Sequence, residues 1–341
     1  MPMQYINTNF LNSLCVELTN WCNASCPMCS RFDLNGQLRV DRVNSHHTPL
    51  SLFKNQVGPD ILSKLKVFWS CGTYGDAIMN PECIEIFQYV RECNPTAYLN
   101  IHSNGGARNS EFWANLAKLD VVVTFGIDGL EDTNHLYRRG VQWQRLLKNV
   151  KTFIDNGGCA RWRFLVFEHN KHQIREAYSL ARSLGFMGFE AFESTRFGSM
   201  YSSNIQSPAN FTIPHSAKFH NILKRQALMD WPFVQPEATA NELNSITCRV
   251  NSFGRSEVYI RADGTVQPCC MLGDLDIDEA NRLVTNMPNL HHNTLTEILE
   301  GDFFTRIGAG IADPLSPYRL KTCVSTCGGQ QRYTQHIRLV Q

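Results

Sequence analysis

The sequence has almost no net charge, no long apolar run and little charge of either sign. Across 341 residues, 32 Lys and Arg stand against 31 Asp and Glu, and charged residues make up 18% of the chain. A protein whose main partner is nucleic acid normally carries a basic excess to meet phosphate, so this balance argues against such a partner. The opening stretch Met-Pro-Met-Gln-Tyr-Ile-Asn lacks a basic region followed by an apolar one, so no signal peptide is read there. Nowhere do about 18 apolar residues run together, as a bilayer span requires. The expectation is a cytoplasmic protein with no membrane partner. With 43% hydrophobic residues the chain can build a sizeable core, and its length fits one large domain plus a smaller one.

What the sequence does have is cysteine. Thirteen is a high count for a reducing compartment, where structural disulfides are rare, so some of them are expected to bind metal. Position sorts them. Cys15, Cys71, Cys83, Cys93 and Cys159 stand singly in apolar or helical surroundings and read as small buried hydrophobes. Cys22, Cys26 and Cys29 cluster near the start, and Cys248, Cys269, Cys270, Cys323 and Cys327 lie in the last third.

Short apolar segments alternate with helix-period segments from residue 14 to about 193. Leu14 to Leu18, Lys66 to Cys71, Ala97 to Ser103, Val121 to Ile127, Arg161 to Phe167 and Met187 to Phe192 read as strands. Between them, Asn80-Pro81-Glu82 starts a helix whose apolar face carries Ile86, Phe87 and Val90. Trp143, Leu146, Leu147, Val150 and Ile154 recur at helical spacing up to Gly157-Gly158. Asn170 with Gln173 has the form of a capping box before a stripe ending at Gly185. Strand–helix alternation repeated six times implies a parallel sheet covered by helices, either an open doubly wound sheet or an incomplete barrel. In both, functional groups gather at the carboxyl ends of the strands.

From Ser194 to about Thr247 the pattern is broken by Pro208, Pro214, Pro232 and Pro236. The reading is a first domain over 1–193, a bridging segment over 194–247 and a second domain over 248–341. In the last, Glu257 to Ile260 and Val266 to Gln267 flank Asp263-Gly264 as a hairpin, and Leu295, Ile298, Leu299 and Phe303 suggest one helix.

Cys22-Asn-Ala-Ser-Cys26-Pro-Met-Cys29 follows the first strand directly. Structural zinc takes four ligands and this loop offers three with no fourth cysteine nearby. A [4Fe–4S] cluster also normally takes four, so three thiolates leave one iron open to a substrate or cofactor. Here the sequence resembles the radical S-adenosylmethionine (SAM) superfamily, whose signature Cys-x3-Cys-x2-Cys it matches at Cys22, Cys26 and Cys29. The resemblance implies a partial (β/α)6 TIM-like barrel, a SAM-binding [4Fe–4S] cluster on those cysteines, and S-adenosylmethionine chelated at the open iron. It covers roughly residues 12–193.

Further motifs follow in the family's order. At the end of the second strand, Gly72-Thr73-Tyr74-Gly75-Asp76 stands where the family usually has Gly-Gly-Glu, whose backbone receives the cofactor's amino group. Ser103-Asn104-Gly105 resembles Thr-Asn-Gly, and Gly126-Ile127-Asp128-Gly129 resembles Ser-Ile-Asp-Gly. Tyr137-Arg138-Arg139-Gly140 looks like the family's arginine–glycine element, in which Arg138 would pair with the cofactor carboxylate. A solvated surface arginine is the plainer reading, and Arg163 on the fifth strand is a second candidate for that carboxylate. With Met28 in the cysteine loop, the residues expected to touch the cofactor are Met28, Gly72 to Asp76, Ser103, Asn104, Asp128, Arg138 and Arg163.

The later cysteines form a second group. Cys248-x15-Gly264-x4-Cys269 followed by Cys323-x3-Cys327 looks like the C-terminal extension of SPASM and twitch members of the superfamily. The implied second domain is a cysteine-rich α+β unit, and the cysteine count favours one auxiliary [4Fe–4S] cluster on Cys248, Cys269, Cys323 and Cys327. Cys270 is the alternative to Cys269, and four-thiolate zinc is the alternative metal. A spare thiol beside a cluster also makes Cys270 a candidate hydrogen-atom donor.

The implied function is an enzyme that cleaves SAM reductively to a 5′-deoxyadenosyl radical and abstracts hydrogen from a peptide or small-molecule substrate. Its electrons would come from a donor such as flavodoxin or ferredoxin. The alternatives are a non-catalytic iron–sulfur carrier or scaffold, and a radical enzyme acting on RNA or a nucleoside.

Overall fold

Along the fifth strand, Ala160, Trp162, Phe164 and Val166 are buried, while Arg161, Arg163 and Leu165 between them are half-buried. That alternation marks a strand with one face under helices and the other toward a partly accessible interior. The computed structural model describes residues 5–193 apart from 7, 34, 41, 42 and 45; residues 246–328 apart from 249, 252, 253, 275 and 276; and residues 337–340. Of the expected bridging segment, only 246 and 247 fall within these residues.

Six parallel strands carry the first part of the chain: β1 (Ser13–Val16), β2 (Val67–Ser70), β3 (Tyr98–Ser103), β4 (Val121–Gly126), β5 (Ala160–Val166) and β6 (Gly188–Glu193). All six apolar segments of the sequence are therefore strands. The helices that follow them are α1 (Cys83–Cys93), α2 (Ser110–Ala117), α3 (Trp143–Asp155) and α4 (Ile174–Leu184), the last closed by Gly185 in the left-handed conformation. Their apolar faces meet the sheet in one aromatic-rich layer. Trp113 lies 5.4 Å from Phe125, which is 6.0 Å from both Phe153 and Phe186. Truncating any of these to alanine would cost about 3–5 kcal/mol.

The second group of elements is not a separate sheet. The strands β7 (Glu257–Ile260) and β8 (Val266–Gln267) form the expected hairpin, but β7 pairs parallel with β1. At the far side β9 (Ile337–Val340) pairs antiparallel with β6, giving nine strands in the order β8-β7-β1-β2-β3-β4-β5-β6-β9. The result is an open partial barrel rather than a closed one. Its inner wall holds Trp69, His102, Arg161, Arg163, Leu165 and Phe192, all half-buried. Closed barrels fill that space with branched side chains; here it is polar, aromatic and partly open.

Two local readings are corrected. The single helix expected around Leu295 to Phe303 is two, Leu295–Glu300 and Asp302–Ala312, because Gly301 between them is extended (φ −81°, ψ 172°). Asn170 and Gln173 make no capping box before α4. Both amides are buried and turn inward instead. Asn170 Nδ2 donates to the carbonyls of Asp128 and Leu165, each at 2.9 Å. Gln173 Oε1 accepts from Leu130 N at 3.1 Å and its Nε2 donates to Asp132 Oδ1 at 2.7 Å. They brace the loop after β4, a task that took precedence over the helix end.

Candidate active site

The cysteine loop leaves the end of β1 at Glu17, and a buried carboxylate at that point needs donors. Glu17, 1% exposed, accepts from Thr73 N at 2.6 Å and Tyr74 N at 3.2 Å, with the Cys71 thiol donating at 3.0 Å. Burial raises its pKa while these donors act in the opposite direction. One acid thus fastens the loop after β2 to the start of the cysteine loop. Gly75 closes the same seam, since a Cβ there would sit 2.1 Å from the Thr19 carbonyl oxygen. Asp76 N donates to Trp21 O at 2.8 Å.

Asp76 carries the connection onward. Its carboxylate, 4% exposed, accepts from Ser103 Oγ at 3.0 Å and Asn104 N at 2.8 Å, at the end of β3. Burial pushes its pKa up to about 6. Asn104 in turn reaches the cysteine loop, donating through Nδ2 to Asn23 Oδ1 at 3.0 Å and toward Cys22 Sγ at 3.4 Å. Three of the motifs named from the sequence therefore form one hydrogen-bonded chain.

From β4 the approach is electrostatic. Asp128 is fully buried, and its Oδ2 accepts from Arg138 Nε at 2.6 Å while Oδ1 accepts from Leu165 N at 2.7 Å. Burial alone would lower the pKa of Arg138, but the Asp128 carboxylate and the Cys26 thiol beside it hold the guanidinium firmly protonated. Arg138 Nη1 lies 3.8 Å from Cys26 Sγ. The space is made by Gly126, where a Cβ would meet Arg138 Nη2 at 2.5 Å. Arg138 is thus directed at the cysteine loop and not at solvent.

Cys22 and Cys29 are half-buried and Cys26 is 8% exposed. Burial pushes the Cys22 thiol up to about 12 and the Cys26 thiol up to about 11, the neighbouring thiols adding to both and Arg138 opposing the latter. Met28 packs half-buried against the core. Among the described residues no three His, Cys, Asp or Glu side chains gather about the position of one ion. Tetrahedral zinc draws its sulfurs to one point, whereas a cluster offers each cysteine an iron of its own. The donor set here, three thiols on one short loop, fits three corners of such a cluster.

Arg163 sits apart from the cysteine loop, on the lumen wall. Its Nη2 is 3.3 Å from Glu190 Oε2 of β6, and its Nε is buried with no hydrogen-bond partner among the described residues. His102 faces the same space, 5.6 Å from the Trp69 ring, with its pKa lowered to about 3 by burial and by Arg163. The imidazole is therefore neutral.

The second cysteine group assembles around the helix Lys321–Cys327, where Cys323 and Cys327 share one face at i, i+4. Thr247 N donates to Cys327 O at 3.1 Å, which brings Cys248 alongside. Burial pushes the Cys269 thiol up to about 12, with Cys248 and Cys327 contributing, and raises Cys323, to which Cys269, Cys327 and Cys248 all contribute. Cys248, Cys269, Cys323 and Cys327 thus lie within electrostatic reach of one another. Cys270 lies close enough to the buried Cys15 to raise its pKa. Cys71 also leaves the plain hydrophobic class, through its bonds to Glu17 and Thr73. Glu17 went unnoticed in the sequence; its signal was one acid inside the apolar run Leu14-Cys-Val-Glu-Leu18.

The sequence model of the Radical SAM superfamily matches residues 16–181, and that of the SPASM iron-sulfur cluster-binding domain matches residues 248–328. No curated protein matches the chain. Among solved structures, Streptococcus suis SuiB bound to S-adenosylmethionine aligns with a TM-score of 0.62 at 13% identity, over 88% of this chain and 68% of that one. SuiB bound to its precursor peptide SuiA aligns with a TM-score of 0.59 at 13% identity, over 94% and 77%. The enzyme anSMEcpe with bound AdoMet aligns with a TM-score of 0.56 at 15% identity, over 86% and 78%. At these identities the likeness is one of fold. No described helix is long and apolar enough to cross a membrane. With the two sequence models together covering most of its length, the chain belongs to the radical SAM superfamily: it is an enzyme of that superfamily with a C-terminal SPASM-type domain, and its cofactors are S-adenosylmethionine and [4Fe–4S] clusters.

Proposed function

We propose that this enzyme abstracts a hydrogen atom from a peptide or small-molecule substrate held in the barrel lumen. When bound, the reduced cluster and S-adenosylmethionine supply the chemistry, an electron that cleaves the sulfonium to methionine and a 5′-deoxyadenosyl radical. Cys22, Cys26 and Cys29 would hold that cluster, and Cys248, Cys269, Cys323 and Cys327 the auxiliary one. The observation that carries the reading is the convergence on the triplet of Asn104, 3.4 Å from Cys22 Sγ, and Arg138, 3.8 Å from Cys26 Sγ, from two neighbouring strand ends.

The chain's own residues have separable tasks. Glu17 engages the N–H groups of Thr73 and Tyr74, so the loop Gly72 to Asp76 meets a protonated amino group with carbonyl oxygens and the Asp76 carboxylate. Asp128 holds Arg138 through Nε, which fixes the plane of the guanidinium and leaves its other nitrogens for a carboxylate. Met28 and Ser103 complete the cofactor's surroundings. Trp69, His102, Arg163 and Phe192 line the space where substrate would displace water. Peptide as the substrate class is supported by two structural neighbours seen with peptides, SuiB with SuiA and anSMEcpe with Cp18Cys. A flavodoxin or ferredoxin would deliver the electrons.

The test is anaerobic incubation of reduced, cluster-loaded protein with S-adenosylmethionine. Release of 5′-deoxyadenosine, lost in Cys26→Ala, is expected. A loaded protein that releases neither 5′-deoxyadenosine nor methionine would instead be an electron carrier.

A further inference from the structure

Tyr5 stands 243 positions before Cys248, yet its hydroxyl oxygen lies 3.1 Å from Cys248 Sγ. The ring is anchored rather than loose. It stacks on Phe304 with centroids 6.1 Å apart and planes at 27°, and Ile6 beside it is 2% exposed. Cys269 and Cys323 lie near the same hydroxyl. A segment from the start of the chain is thus seated on the second cysteine group, and it presents one polar atom there.

We propose that Tyr5 is a positioning residue for the auxiliary cluster, its hydroxyl donating a hydrogen bond to the Cys248 sulfur and raising the cluster's reduction potential. The proposal rests on Cys248 being a ligand. The direction of the bond then follows, because a thiolate bound to iron has no proton to give and the phenol must be the donor. A donor on a ligating sulfur draws charge from the cluster and favours its reduced, more negative state. Without the hydroxyl the reduced state loses that support and the potential falls. The aromatic ring is a separate matter, since its packing on Phe304 would survive removal of the oxygen.

The experiment uses the full chain with Cys22→Ala, Cys26→Ala and Cys29→Ala, so that only the auxiliary cluster contributes to the spectrum. Anaerobic protein should hold about four irons per chain; protein without iron would overturn both the ligand reading and the proposal. In the same background, Tyr5→Phe should keep its iron and shift the midpoint potential, followed by electron paramagnetic resonance, to a more negative value. An unchanged midpoint with iron retained would overturn the proposal and leave the ligand reading standing. Double resonance on the parent protein should also detect an exchangeable proton coupled to the cluster that disappears in Tyr5→Phe. If Tyr5→Phe fails to hold iron, the parent spectrum decides: absence of that proton overturns the proposal, and its presence supports it.

Discussion

Arg138 is bound at 2.6 Å to the fully buried Asp128 and reaches to 3.8 Å from the sulfur of Cys26. The pair links the end of β4 to the cysteine loop, and each partner depends on the other for compensation of its charge. Removing one member of a buried pair costs about 3–5 kcal/mol, because the survivor is left uncompensated. Asp128→Asn should lower stability by that order and weaken binding of S-adenosylmethionine, as Arg138 loses its fixed orientation. A double-mutant cycle with Arg138→Gln checks this by denaturant unfolding. The two single losses should sum to clearly more than the double loss, and simple additivity would contradict the coupling.

Asp76 has an ordinary pKa of 3.8 that burial pushes up to about 6. An acid raised in the folded state stabilises it fully below the unfolded value. That contribution is lost as pH rises to about 6 and stays lost above it. Asp76→Asn removes the titration. The stability of wild type relative to Asp76→Asn should fall by about 2–3 kcal/mol between pH 4 and pH 6 and then level off. Chemical denaturation of metal-free protein across that range measures it, and a flat difference would contradict the assignment.

Gly75→Ala places a methyl group 2.1 Å from the Thr19 carbonyl oxygen, a contact that neither backbone can relieve alone. Overpacking of this kind costs about 1–3 kcal/mol. The seam between the β2 loop and the cysteine loop should open, raising the dissociation constant for S-adenosylmethionine by tenfold or more in equilibrium dialysis. Gly188→Ala, where the nearest atom lies 3.8 Å away on the Arg161 side chain, is the control and should leave that constant unchanged.

Cys323→Ser removes one thiol of the second group, and it should reduce the iron content from about eight to about four per chain. Reductive cleavage of S-adenosylmethionine without substrate should persist, since the first cysteine loop is untouched. Cys270→Ser should leave the iron content unchanged; a loss of about four irons would instead make Cys270 the ligand in place of Cys269.

How much of this was legible depended on whether a residue's role was local. The strands could be read because β-branched and aromatic residues recur between turn-forming ones, and the cysteine triplet because its three ligands share one short loop. Cys269 and Cys270 could not be told apart, since they are adjacent in the chain. Asn170 and Gln173 were misread as a helix end because a capping box uses the same residue types as a buried amide brace. Glu17 and Tyr5 escaped notice for a related reason. Their partners, at Thr73 and Cys248, lie 56 and 243 residues away, and no spacing rule spans such a gap. The β7–β8 hairpin was visible as a hairpin, but its alliance with β1 is a tertiary fact.

That alliance bears on how the molecule can be taken apart. With β7 removed, β1 would present an unpaired row of backbone amides and carbonyls on a flat edge, the kind of surface that recruits other chains. A fragment ending before residue 246 would thus lose more than its iron site: the strand that feeds the first cysteine loop would become sticky. Dissection of the two cysteine centres is better done by point substitution within the intact polypeptide than by cutting it.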